Sequence, residues 1–230
     1  NSRHPEVIRV IGRVHGAQSN IPECLKAFHH AIKIDPHCVN VIISDCRELM
    51  RKHSDSVDLR WFLARTLIES GRMDEGLDEL EAILDLAPEE VDAMTRAYEH
   101  ILARNQQNYR AHLGIGRLYR MRHNLRAARH AMESAFQLAP DSVDAQEGLI
   151  DLYETLLAED EDPDVMFRLG EVTMRAGRWD RAIACFQRVA QEHHLFEAAT
   201  RHLAWTFMQK GMLDIAFNEV KKLPMTELVK

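Results

Sequence analysis

The chain has 230 residues, 46% of them apolar and 28% charged, with a formal charge of −7 when histidine is counted as neutral. That balance suits a protein with a buried core. It argues against general nucleic-acid binding, which needs a basic surface to displace counterions. No apolar run approaches the roughly 18 residues of a membrane span, so no membrane insertion is expected.

Ten glycines and seven prolines fall at turns or at recurring positions, and β-branched residues never form alternating runs. An all-α chain follows. Cys24, Cys38, Cys46 and Cys185 form no C-x-x-C pair and read as reduced core residues, which points to a cytoplasmic protein. The sequence opens on Asn1 and closes on Lys230 inside an expected helix, so it reads as a piece of a longer chain.

In chain order, a helical pair is expected near 5–38. Ile11 precedes the small Gly12 on its first helix, Phe28 is the large residue of the second, and Pro36 closes the pair. The segment 39–56 follows with Ile42, Cys46 and Leu49 at helical spacing. At 1.5 Å per residue, its length of about 18 residues fits one helix and a turn. A second pair, 57–90, repeats the scheme with Leu63, Ala64, Leu80 and Pro88, its turn marked by Gly71; the segment 91–108 then offers Met94, Tyr98 and Ile101.

The third pair, 109–142, carries His112, Ile115, Gly116 and Tyr119, then Ala128, Met132, Ala135 and Pro140. Its turn has His123 followed by Asn124, a residue that tolerates the left-handed conformation. Another single helix is expected over 143–162, from Ile150, Tyr153 and Leu157. The pairs 163–196 and 197–230 are directly tandem. They carry Leu169, Gly170, Gly177 and Phe186, then Leu203, Ala204, Gly211 and Val220, with His194 and Leu228 where the closing proline stood. In every pair a small residue on the first helix allows close approach by the second.

This scheme resembles the tetratricopeptide repeat (TPR), with its W-x2-L-G-x2-Y, A-x3-F and P pattern. The resemblance implies an all-α, TPR-like helical-hairpin repeat solenoid, one domain over 1–230 with five copies. Two departures stand out. The aromatic residue that opens the family's first helix is missing from its usual place. The small residues are 52, 52, 54 and 34 apart, whereas tandem repeats recur about every 34 residues.

Charge is segregated along the chain. From His100 to Met132 there are seven arginines and no acid, and from Glu133 to Phe167 eleven acids and no Lys or Arg. Arg110, Leu113, Arg117 and Arg120 share one helical face, which the resemblance places on the concave groove. Arginine forks suit carboxylates, so an acidic peptide or partner helix is the expected ligand, set against pairing with the chain's own acids. Arg201, Trp205 and Met208 are the corresponding candidates in the last pair. Trp61 and Phe167 are read either as groove aromatics or as core.

No catalytic, cofactor or metal site is expected. There is no H-E-x-x-H, P-loop or G-x-S-x-G, and Gly114-Ile-Gly116 lacks a third glycine. Cys24, His29, His30, His37, Cys38 and Cys46 match no zinc spacing. The resemblance therefore implies a non-catalytic protein–protein interaction scaffold that binds a partner protein or peptide. An anion- or nucleic-acid-binding module centred on the arginine block, and a regulatory segment of a larger enzyme, remain open from sequence.

Overall fold

A computed structural model describes residues 4–189, 191 and 193–223. Among them are thirteen α-helices and two short 3-10 turns, with no strand. The chain divides into two compact units, 1–104 and 105–230.

In the first unit, α1 (Pro5–Ala17) and α2 (Ile21–Ile34) form a hairpin, α3 (Val39–Met50) follows singly, α4 (Val57–Glu69) and α5 (Met73–Leu86) form a second hairpin, and α6 (Val91–Arg104) follows singly. Pro36 and Pro88 each open a 3-10 turn immediately after a hairpin. The second unit holds the hairpin of α7 (Tyr109–Met121) and α8 (Leu125–Leu138), the single helix α9 (Val143–Glu159), and the hairpins of α10 (Pro163–Arg175) with α11 (Trp179–Gln187) and α12 (Phe196–Gln209) with α13 (Leu213–Val220).

The helix starts are written in side chains. The Ala111 N–H donates to Asn108 Oδ1 at 2.9 Å, the Asp164 N–H to Asp162 Oδ1 at 2.8 Å, and the Ala145 N–H to Ser142 Oγ at 3.4 Å. Each such cap is worth about 1 kcal/mol. The hairpin turns need a residue at positive φ. Gly71, Gly177 and Gly211 take it at 84°, 71° and 76°, Ser19 at 61°, and His123 at 56°. Asn124, next to His123, is instead the cap of α8, accepting from the Ala127 N–H at 3.2 Å. Since a side chain pays roughly 1–2 kcal/mol in the left-handed region, His123→Gly is expected to stabilise the second unit by about 1 kcal/mol in urea unfolding.

Inside the hairpins the small residues let large ones in. A Cβ on Gly12 would stand 2.7 Å from the Phe28 ring, one on Gly116 2.6 Å from Met132 Cγ, and one on Gly170 2.5 Å from Phe186 Cε1. The single helices bury the faces their periodicity defines: Ile42 and Cys46 on α3, Met94, Tyr98 and Ile101 on α6, Leu149, Ile150 and Tyr153 on α9.

Phe167 belongs to this interior. It is 5% exposed, with its ring centroid 5.8 Å from that of Phe186. Burial pushes the Cys24 thiol up to about 11, and raises Cys46 and Cys185 as well, so these sulfurs are packing atoms rather than nucleophiles. No helix among the described residues is long and apolar enough to cross a membrane.

Candidate functional site

The acidic stretch after α8 finds its main counterions downstream. Asp141 accepts from Arg175 Nε at 3.2 Å, while Glu147, Glu154 and Glu161 pair with Arg178, Arg181 and Arg188. This ladder fastens α9 and its flanks to α10 and α11. Of the upstream arginines, Arg120 reaches Asp151 only at 3.8 Å, and Arg129 pairs with Glu133 on its own helix at 2.8 Å. Arg110 and Arg122 are engaged elsewhere, whereas Arg117 and Arg126 have no ion pair among the described residues.

Leu113 does not join its arginine neighbours at the surface. It is 4% exposed and lies 2.9 Å from where a Cβ on Gly148 would stand, so it packs against α9. The partner-facing role expected of Leu113 is thus replaced by a packing role. Neither it nor Arg110, Arg117 and Arg120 lines the groove that holds Trp205.

That groove, about 640 Å³, runs between α8, α9, α10, the start of α11, and α12. Trp205 is 43% exposed at its edge, and its ring meets Trp179 edge to face with centroids 5.7 Å apart. Arg129, Arg168 and Arg175 line it with Glu133 and Glu171. Glu133 Oε1 accepts from Arg129 Nε at 2.8 Å and from the Tyr153 hydroxyl at 2.7 Å. Burial, reinforced by that carboxylate, raises the Tyr153 pKa and keeps the phenol a donor. His202, on the same wall, stacks on Phe186 at 5.4 Å, and burial lowers its pKa, so a neutral imidazole is favoured near neutral pH. Arg201 is exposed and engaged, and Met208 is 52% exposed on the same helix.

A second groove, about 1440 Å³, lies within the first unit between α2, α4 and α6. Trp61 and Phe62 line it. Lys33, Arg65 and Arg96 line it too, without ion pairs among the described residues, but Asp58, Glu69 and Glu90 balance them.

Trp205 shares this groove with Trp179, Arg168 and Arg175, which come from the neighbouring hairpin and are not marked by the sequence pattern. A signal was available in composition. The chain has three tryptophans, and all three line one of these grooves.

The tetratricopeptide repeat family matches residues 150–194 and 167–217. Among solved structures, a crystal structure of MamA protein is similar at 16% identity, covering 96% of this chain and 91% of that chain with a TM-score of 0.26. YrrB, described as a TPR protein with an unusual peptide-binding site, is similar at 15% identity, covering 77% of this chain and 89% of that one with a TM-score of 0.31. A tetratricopeptide repeat protein from Parabacteroides merdae is similar at 13% identity, with coverage of 96% and 92% and a TM-score of 0.30. No curated protein matches the chain.

Proposed function

We propose that the chain, whose residues 150–194 and 167–217 match the tetratricopeptide repeat family, is a non-catalytic scaffold that captures a peptide or helix of a partner protein in the groove between α8 and α12. The observation that carries this reading is the position of the tryptophans. A globular chain gains most by burying such rings, yet Trp205 stays 43% exposed and pairs with Trp179 on a concave surface. Tryptophan and arginine are the residues that dominate binding energy at protein interfaces.

The partner segment is proposed to be acidic beside an apolar anchor. Arg168 and Arg175 are half-exposed and held by Glu171 at 2.9 Å and Asp141 at 3.2 Å. Surface pairs of this kind are worth little, so exchanging their carboxylates for a partner's costs little. Arg110, Arg117 and Arg120 on α7, and Arg201 and Met208 on α12, lie outside the groove lining and are proposed as an outer rim. Arg117 and Arg120 draw an acidic segment in before the tryptophans seat it.

Rim charges act on association rate and groove contacts on dissociation. Arg117→Glu with Arg120→Glu is therefore expected to slow capture of an acidic, display-selected peptide about tenfold at low ionic strength, with the difference shrinking as salt is added. An unchanged association rate, measured by stopped-flow tryptophan fluorescence, removes these two arginines from the binding surface.

A further inference from the structure

We propose that Asp164, His193 and His194 form a binding site for a divalent transition-metal ion that ties the start of α10 to the linker leading into α12. One ligand atom from each residue lies within 4.8 Å of the others, His194 Nε2 stands 3.5 Å from Asp164 Oδ1, and the two imidazole centroids are 4.4 Å apart. Two nitrogens and one carboxylate oxygen, with water completing the shell, suit zinc or nickel and are a poor set for calcium, which takes six to eight oxygens. Asp164 and His193 are partly exposed and His194 is exposed, so an ion can reach them without burying charge.

The place in the fold is an independent reason. The second helices α2, α5 and α8 each run 14 residues, whereas α11 runs 9 and α13 runs 8. The proline that follows each of the longer helices, Pro36, Pro88 or Pro140, is His194 after α11. Where those three hairpins have a rigid proline, this one presents two imidazoles to a carboxylate. A metal bridge there supplies a constraint through coordinate bonds. It also fixes the linker joining α11 to α12, the helices that carry Trp179 and Trp205.

Ligation has one visible cost. The Leu195 N–H donates to His193 Nδ1 at 3.3 Å, and metal binding gives up that contact. At such length it is a weak bond beside a metal–nitrogen one. The spacing gave no hint of the site in sequence, because Asp164 is brought in from the far end of its hairpin.

Titration of zinc chloride into the metal-free 230-residue chain, followed by calorimetry and thermal unfolding near neutral pH, tests the proposal. Saturable binding of one ion and a raised Tm are expected, with calcium giving neither. His193→Ala with His194→Ala should weaken zinc roughly tenfold or more and abolish the Tm rise, and Asp164→Asn should weaken it separately. The replaced side chains lie outside the core, and circular dichroism of each variant confirms that it folds. An absence of saturable zinc binding overturns the proposal. So does wild-type affinity in the double-histidine variant, which assigns the ion to other histidines.

Discussion

Phe186→Ala is expected to lower the unfolding free energy of the second unit by about 3–5 kcal/mol, the usual cost of emptying a buried aromatic site. Phe186 is 2% exposed and serves three helices: it fills the space opposite Gly170 on α10, meets Phe167 at 5.8 Å, and stacks under His202 of α12 at 5.4 Å. The reverse change tests the same contact from the other side. Gly170→Leu forces carbon into a gap already closed to 2.5 Å, and overpacking of that kind costs about 1–3 kcal/mol.

If the two residues share one space, Gly170→Ala and Phe186→Leu combined should cost less than the sum of the singles. Such non-additivity is the mark of direct contact. Because the chain divides into two units, unfolding should be followed by tryptophan fluorescence in a Trp61→Phe background, which leaves Trp179 and Trp205 to report the second unit. Additive effects would show that the close approach is not made.

The second large effect concerns binding. Trp179→Ala with Trp205→Ala is expected to weaken capture of a groove-bound peptide by at least about 2 kcal/mol, roughly 30-fold. The same double change should cost little stability, because Trp205 is 43% exposed and its main aromatic contact is Trp179 itself. The contrast with Phe186 matters. Both sites are aromatic and both touch α12, but one ring is enclosed and the other stands open. A large loss of stability in the tryptophan variant would move the pair into the core and remove the anchor from the proposed surface.

Much of the fold was legible because it rests on local chemistry. Gly170 facing Phe186, and the positive-φ turns at Gly71, Gly177 and Gly211, are properties of a residue and its near neighbours. The single helices α3, α6 and α9 were legible for the same reason, since period alone marks Ile42, Tyr98 or Ile150 as inward-facing. What failed was anything that depends on which helix comes to lie alongside. Leu113 shares a face with Arg117 by spacing, yet Gly148 on α9 opens a site for it. Glu147 and Glu154 on α9, and Glu161 just after it, follow the arginine block in sequence but pair with Arg178, Arg181 and Arg188, because α10 and α11 pack beside α9. The groove was half legible: Trp205 could be chosen from its own helix, whereas Trp179 reaches it from the next hairpin.

The most direct test of the central claim is to pan a random peptide library in parallel on the 230-residue chain and on its Trp179→Ala/Trp205→Ala variant, then measure the recovered peptides on both. Peptides with an apolar anchor beside carboxylates, bound to the wild-type chain and roughly 30-fold or more weaker on the variant, are the predicted result. Equal affinity for the two proteins, or no enrichment on the wild type, would contradict the assignment of this groove as the capture surface.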